Sequence, residues 1–168
     1  MIPTVLLVED DEDDVFFMRR AFKDASIANP LSVVLDGREA IDYMSGNGKY
    51  VDRQTWQLPC LILLDLKLPR VLGLDVLRWI RSDEQFKSVI VVVLTSSKED
   101  IDVERAYALG ANSYLVKPPD AEKLLTTVKR IKEYWMDLNQ LAPRCIEFGK
   151  GQASARPQLP SVADPTLQ

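Results

Sequence analysis

Short apolar runs alternate along the chain with longer stretches in which apolar residues recur at helical spacing. Five runs predict strands, at residues 4–8, 31–35, 60–64, 89–94 and 113–116. Runs that are apolar throughout are typical of strands buried on both faces of a parallel sheet. Periodic segments follow them at residues 12–25, 37–44, 73–81, 99–109 and 120 to about 138. This alternation predicts a doubly wound α/β fold, in which right-handed crossover helices cover both faces of a five-stranded parallel sheet.

Two segments depart from this alternation. Residues 45–59 are polar and glycine-containing, with Tyr50 and Trp56 embedded in them, and they predict a surface insertion. From Ala142 onward, prolines and glycines interrupt any regular apolar pattern, and such a segment alone buries too little surface to fold. The expected organisation is one domain at residues 1–141, followed by an irregular C-terminal extension at residues 142–168.

Acidic, hydroxyl and lysine side chains stand at the ends of four of the predicted strands. They are Glu9, Asp10, Asp65, Thr95, Ser96 and Lys117. Because the carboxyl ends of parallel strands meet at one edge of a sheet, we expect these side chains to share one crevice. A set of carboxylates with a hydroxyl and one lysine suits a divalent metal ion and a phosphoryl group.

The predicted chemistry centres on Asp65, because a carboxylate can attack a phosphoryl group and form an acyl phosphate. Mg²⁺ prefers oxygen ligands, which Glu9, Asp10 and Asp65 would supply together with the backbone carbonyl of Lys67. The phosphoryl oxygens need cationic and hydrogen-bonding partners. The expected partners are Lys117, the Thr95 hydroxyl and the backbone N–H of Ser96.

Each of these residues also has a plainer interpretation. Residues 9–14 are an unbroken run of six acids, and negative charge in the first turn of a helix complements the helix dipole. Asp11 and Asp14, with the two acids between them, are therefore interpreted as capping residues. Thr95 alone could be a loop residue, and Lys117 alone a solvated surface lysine. The predicted topology nevertheless places all the strand-end residues on one edge, which favours a common site.

Composition excludes several classes of protein. The chain has no histidine, which excludes a Ser-His-Asp hydrolase and a histidine-ligated zinc site. Its two cysteines form no Cys-x-x-Cys pair, so redox or zinc chemistry has no support. The net charge of -4 is mild, but the pI near 4.9 argues against a general nucleic-acid binder. Neither a membrane span nor a signal-peptide pattern is visible in the sequence, so the expected location is the cytoplasm, with no membrane association.

Taken together, the motifs resemble a response-regulator receiver domain, the CheY-like fold of two-component signalling. The matching segments are residues 7–11, 63–69, 73–74, 93–97 and 110–118. The resemblance spans residues 1 to about 138 and implies a flavodoxin-like (βα)5 domain that takes a phosphoryl group from a sensor histidine kinase with Mg²⁺. It implies the following roles: Asp65 as phospho-acceptor, Glu9 and Asp10 as acidic pair, Thr95 as switch hydroxyl, Lys117 as phosphate lysine and Tyr114 as aromatic rotamer switch.

One position departs from the commonest pattern of that family. An aromatic residue often follows the Lys-Pro pair, whereas Pro119 stands there in this chain. Proline in the first turn of a helix is structurally sound. It changes the surface beside the switch helix, so partner contacts there are expected to be atypical.

Within the family, the insertion before the Asp65 strand resembles that of single-domain regulators paired with bacterial and cyanobacterial phytochrome kinases. About thirty residues follow residue 138, and they show no basic recognition helix, so direct DNA binding is not expected.

The leading interpretation is a phosphorylatable signalling protein, not an enzyme beyond slow self-dephosphorylation. The alternatives are a Mg²⁺-dependent phosphatase with an aspartyl nucleophile and a scaffold with a vestigial site. Such phosphatases usually carry a second aspartate two residues after the first, where this chain has Lys67.

The last predicted helix carries a long apolar stripe that ends in Tyr134 and Trp135, where the sheet should have run out. Exposed aromatic residues of this kind indicate an interface. Ile146 and Phe148, in the otherwise polar extension, could reach across to a partner subunit. We therefore expect a homodimer built on the last strand and its two flanking helices. A disordered extension is the plainer alternative.

Overall fold

A computed structural model describes residues 2–142, which form a parallel sheet between two layers of helices. The strands are β1 (Thr4–Val8), β2 (Leu31–Val34), β3 (Pro59–Leu64), β4 (Ile90–Thr95) and β5 (Ser113–Val116). All neighbouring strands run parallel, in the order β2-β1-β3-β4-β5. The predicted doubly wound five-stranded sheet is confirmed. Because the strand order reverses between β1 and β3, a crevice opens there at the carboxyl edge of the sheet.

In the described part of the chain, five α-helices alternate with these strands. They are α1 (Glu12–Asp24), α2 (Gly37–Ser45), α3 (Gly73–Ser82), α4 (Asp100–Ala108) and α5 (Ala121–Ile131). Three of them are preceded by a capping aspartate, Asp11, Asp36 or Asp120, whose carboxylate accepts one or two backbone N–H groups of the first turn. Within residues 2–142, no helix combines the length and the apolar composition that a membrane span requires.

The core has one layer on each face of the sheet. Leu6, Val8, Ile62 and Leu64 are fully buried in a cluster that also contains residues of α2 and α3. The alternate positions of β1 and β3 belong to a second cluster, which includes residues of α1 and α5. Burial on both faces explains why these strands are apolar throughout and not alternating.

The segment that the sequence predicts to be a surface insertion is packed onto α2. Tyr50 is buried in a 3₁₀ turn (Gly48–Tyr50), and its ring lies 4.9 Å from that of Tyr43, centroid to centroid. The Arg53 guanidinium donates hydrogen bonds to the carbonyls of Tyr43 and Met44, at 2.7 and 2.6 Å. These carbonyls belong to the last turn of α2, where carbonyls lack the partners of an uninterrupted helix, and that of Tyr43 also accepts the N–H of the capping Gly46 at 3.3 Å. The insertion is therefore an integral part of the domain.

The last predicted helix is not α-helical to its end. α5 stops at Ile131, and the chain continues as a π-helix (Lys132–Leu138). Tyr134 is 56% exposed, but Trp135 is half-buried against the core cluster that lies under α1 and α5. The expectation of two exposed aromatic residues is therefore wrong for Trp135. Ile146 and Phe148 lie outside the described residues, as does the extension from residue 143 onward.

Candidate functional site

Three carboxylates gather at the carboxyl edge of the sheet beside the strand-order reversal. Glu9 follows β1 and Asp65 follows β3, and both are buried, whereas Asp10 is exposed. Each of the three offers a carboxylate oxygen, and these oxygens lie within 4.8 Å of one another. Negative groups this close repel one another unless a cation lies between them, and a set of carboxylate oxygens is what Mg²⁺ prefers. The residues present therefore fit a divalent cation.

Both carboxylate oxygens of Asp65 are held by hydrogen bonds. Oδ1 accepts from the Thr95 hydroxyl at 2.7 Å and from the Lys67 N–H at 3.1 Å. Oδ2 accepts from Lys117 Nζ at 2.6 Å. The ends of β4 and β5 and the loop after β3 thus fix the orientation of this one carboxylate.

The loop after β3 returns closely past Asp65 at the start of α3. The Gly73 N–H donates to the Leu66 carbonyl at 3.0 Å. A Cβ added at Gly73 would lie 2.1 Å from the Asp65 carbonyl oxygen. Only glycine allows this approach, so the glycine that opens α3 serves the geometry of the Asp65 loop.

Lys117 is shared among three carboxylates. Its Nζ lies 2.6 Å from Glu9 Oε2, 2.7 Å from Asp14 Oδ2 and 2.6 Å from Asp65 Oδ2. A lysine ammonium has three N–H donors, so each can serve one carboxylate. Burial alone would lower the pKa of Lys117. The hydrogen bonds to Asp14, Asp65 and Glu9 outweigh it and raise that pKa above its ordinary value.

The contact with Lys117 does not hold the pKa of Glu9 down. Burial raises the pKa of Glu9 from its ordinary value of 4.5 to about 7, against the hydrogen bond from Lys117, and the negative charge of Asp65 adds to the rise. Four carboxylates, those of Glu9, Asp10, Asp14 and Asp65, lie around the ammonium of Lys117, which leaves an excess of negative charge. A divalent cation would relieve the excess.

A hydrogen-bond network leads away from Asp65 toward α4 and β5. The fully buried Thr95 accepts the Ser97 N–H at 3.4 Å, and the Ser97 carbonyl accepts the Tyr114 hydroxyl at 3.2 Å. The Ser97 hydroxyl donates to Asp102 Oδ2, in the first turn of α4, at 2.5 Å. A change at Asp65 that moves Thr95 therefore reaches both α4 and Tyr114.

The structure brings most of the predicted strand-end side chains together in this crevice. Ser96 is exposed beside Thr95. At Lys67 the backbone N–H contacts Asp65, and the role predicted for the Lys67 carbonyl stays a prediction.

Sequence reasoning missed two residues of the site, Asp14 and Ser97. Asp14 was interpreted as a helix cap, but it pairs with Lys117, while Asp11 caps α1. A run of acids before a helix is explained by capping alone, so the sequence carries no sign of that pairing. For Ser97 there was a weak signal, because it is the last hydroxyl of the Thr95-Ser96-Ser97 run.

Comparison with known proteins decides the family. The family model of the response regulator receiver domain matches residues 5–129. The chain belongs to this family. The predicted family is therefore confirmed, and with it a place for the receiver domain in two-component signalling.

Three relatives illustrate the similarity. The chain is 40% identical over 139 residues to the probable methanogenesis regulatory protein FilR2 of Methanothrix harundinacea, covering 81% of this chain and 85% of that protein. It is 35% identical over 133 residues to the response regulator Rcp1 of Synechocystis, covering 79% of this chain and 88% of Rcp1. The Mn²⁺-bound structure of Rcp1 matches with a TM-score of 0.76 at 34% identity, over 83% of this chain and 99% of that one.

The third relative is a phosphorylated cyanobacterial phytochrome response regulator, RcpA. Its crystal structure matches with a TM-score of 0.78 at 34% identity, over 84% of this chain and 99% of that chain. This receiver domain is thus related to the phytochrome response regulators, as predicted.

Proposed function

We propose that this protein accepts a phosphoryl group from a sensor histidine kinase on Asp65 and signals through a change that runs from Thr95 to Tyr114. One observation carries the proposal. A buried carboxylate at a strand end is held by Lys117 and Thr95, and it lies beside two further acids suited to a divalent cation. The proposed ligands of Mg²⁺ are Glu9, Asp10, Asp65 and the Lys67 carbonyl.

The proposed reaction is a transfer between two side chains. A lone pair on a carboxylate oxygen of Asp65 attacks the phosphorus of the kinase's phosphohistidine. The phosphorus–nitrogen bond breaks, its electron pair stays on the imidazole nitrogen, and Asp65 becomes an acyl phosphate. Mg²⁺, when bound, would neutralise the charge that collects on the carboxylates and phosphoryl oxygens.

Lys117 and Thr95 would then move their hydrogen bonds from the Asp65 carboxylate to the phosphoryl oxygens. Both donate to Asp65 in this structure, and the phosphoryl oxygens offer stronger acceptors a bond length farther out. The Ser96 N–H would supply a further donor. When the Thr95 hydroxyl moves to the phosphoryl group, the Ser97 N–H loses its present partner. The Tyr114 hydroxyl donates to the Ser97 carbonyl, so a movement of Ser97 would also move Tyr114 at the surface of β5.

The proposed kinase is of the phytochrome type. The support is the similarity to Rcp1 and to the phytochrome response regulator RcpA, together with the insertion packed on α2. FilR2, which has the higher identity, is named for methanogenesis and not for light, so the kinase must be identified directly. A phosphotransfer panel tests this point, with a phytochrome kinase and the kinases encoded near the gene as donors. Fastest transfer from a kinase of another class would overturn the assignment.

The proposed setting is the cytoplasm, with a receiver domain at residues 1–141, an extension at 142–168, a homodimeric assembly and no direct contact with DNA.

Lys67 argues against the alternative of a phosphatase, because an exposed ammonium stands where the second catalytic carboxylate would be needed. Hydrolysis of p-nitrophenyl phosphate separates the two functions. Sustained turnover that is abolished by Asp65→Asn would favour the phosphatase.

A further inference from the structure

The carboxylate of Asp14 does not cap α1, although it lies in the first turn of that helix. Asp11 Oδ1 accepts the backbone N–H groups of Asp13 and Asp14, at 2.9 and 3.1 Å. An acid at the third position of a helix often reaches back to the N–H of the capping residue. Here that N–H, of Asp11, donates to Glu9 Oε1 at 3.3 Å. Asp14 Oδ2 instead accepts from Lys117 Nζ at 2.7 Å, across 103 residues of sequence.

We propose that Asp14 is a positioning residue for phosphoryl transfer to Asp65. Its carboxylate holds the Lys117 ammonium at the mouth of the crevice while the other two partners of that ammonium are engaged elsewhere. This inference rests on the proposed function, since it concerns the same reaction.

The three partners of Lys117 differ in what the reaction does to them. Glu9 belongs to the group of acids suited to a divalent cation, so its carboxylate would coordinate a bound cation. Asp65 belongs to the same group, and the transfer itself converts its carboxylate into an acyl phosphate. Asp14 lies outside that group. Its bond to Lys117 is therefore the one that both cation binding and phosphoryl transfer leave intact.

Such an anchor matters because a lysine ammonium sits on a long, flexible stem. Stabilisation of developing charge depends on donors that are in place before the reaction. With Glu9 and Asp65 engaged, Asp14 keeps Lys117 within reach of the arriving phosphoryl oxygens.

Because Asp14 is exposed, a role in phosphoryl transfer can be distinguished by experiment from a role in stability. The Asp14 side chain is 45% exposed, against 4% and 5% for those of Glu9 and Asp65. An ion pair this accessible to water contributes little to stability. Substitution at Asp14 should therefore change the rate of phosphorylation and leave the folded state intact.

The chain offers a matched control at Asp13. This exposed acid stands one residue earlier in the same turn and carries the same charge, and its backbone N–H contacts only the Asp11 cap among the described bonds. Asp13→Asn removes one negative charge near the crevice without touching Lys117. A difference between Asp14→Asn and Asp13→Asn therefore reports the contact and not the net charge.

The experiment compares wild type, Asp14→Asn, Asp14→Glu and Asp13→Asn as full-length proteins with acetyl phosphate and saturating Mg²⁺. The phosphorylated fraction is followed by intact mass over a range of acetyl phosphate concentrations. Asp14→Asn should lower the saturating rate by about three- to tenfold, the range expected for one partly exposed charge-assisted hydrogen bond. The half-saturating concentration should change little. Asp14→Glu should recover part of the rate, Asp13→Asn should behave as wild type, and all four melting temperatures should agree.

Three results would overturn the inference. In the first, Asp14→Asn matches Asp13→Asn, or both react faster because lost negative charge eases the approach of an anionic donor. In the second, the slower rate of Asp14→Asn comes with a matching fall in melting temperature, and Asp14→Glu recovers none of the rate. These results would indicate that Asp14 has a structural role. In the third, wild type itself takes up no phosphoryl group, and the proposed function fails along with the inference. The first two results leave the proposed function standing.

Discussion

The Thr95 hydroxyl donates a hydrogen bond to Asp65 Oδ1 at 2.7 Å, and both side chains are buried. This bond joins the ends of β3 and β4 at the carboxylate where the phosphoryl group is proposed to form. The same Thr95 oxygen accepts the Ser97 N–H, so the link continues into the loop before α4. The acceptor site and the surface proposed to carry the signal are therefore one connected network.

Thr95→Val tests this connection because it removes the hydroxyl while keeping the shape of the side chain. Loss of one hydrogen bond to a buried carboxylate should lower the free energy of unfolding by about 1–3 kcal/mol, measured by urea denaturation. Asp65 should still be phosphorylated, but the NMR signals of Tyr114 should no longer shift on phosphorylation. Thr126→Val is the control, because its hydroxyl bonds to the Glu122 carbonyl at the exposed surface. An unchanged Tyr114 response in Thr95→Val would refute the proposed route.

Glu9 predicts a pH dependence of stability in metal-free protein. Burial raises its folded-state pKa to about 7, above its ordinary 4.5, so between these values the folded state holds a proton that the unfolded state has lost. Stability then falls as pH rises through this window. The free energy of unfolding of wild type, relative to Glu9→Gln, should drop by about 3 kcal/mol between pH 4.5 and pH 7 and then level off. A difference that stays flat, or grows with pH, would contradict the raised pKa.

Mg²⁺ is expected to stabilise the folded protein, because a ligand that binds only the folded state adds stability by mass action. The effect should be larger at pH 8 than at pH 6, since Glu9 must lose its proton before its carboxylate can bind metal. Thermal melts with and without MgCl₂ measure both trends. Asp10→Ala is the test variant, because Asp10 is exposed and its removal should abolish the shift without unfolding the protein. The same shift in that variant would place the cation elsewhere.

The proposed homodimer predicts different outcomes for two neighbouring aromatic residues. Tyr134 is exposed, so Tyr134→Ala should shift the protein toward monomer in light scattering with little change in melting temperature. Trp135 packs on the core, so Trp135→Ala should lower the melting temperature as well. Truncation after Leu141, which removes Ile146 and Phe148, should also favour the monomer. A full-length protein that is monomeric at high concentration, with and without phosphorylation, would rule the dimer out.

The sheet and its capped helices could be predicted because local rules govern them. Apolar runs predict buried parallel strands, and Asp36 before an amphipathic segment predicts a helix start. In the structure Asp36 caps α2, which begins at Gly37. The crevice was predictable for a topological reason, since parallel strands deliver their carboxyl ends to one edge.

What the sequence did not show depends on contacts between distant residues. The Asp14–Lys117 pair spans 103 residues, and nothing local separates Asp14 from its acidic neighbours. Trp135 packs on the core from within a π-helix, in a segment whose pattern is equally suited to an α-helix. The packing of Arg53 and Tyr50 on α2 likewise depends on tertiary contacts.

Intact-mass analysis after incubation with acetyl phosphate and Mg²⁺ tests the central claim, that Asp65 is the phosphoryl acceptor. Wild type should gain the mass of one phosphoryl group, and omission of Mg²⁺ should greatly reduce the gain. Asp65→Asn should gain none, whereas Asp13→Asn, which leaves the crevice contacts intact, should be labelled as wild type is. Equal labelling of Asp65→Asn and wild type would contradict the account, because the acceptor would then lie elsewhere in the chain.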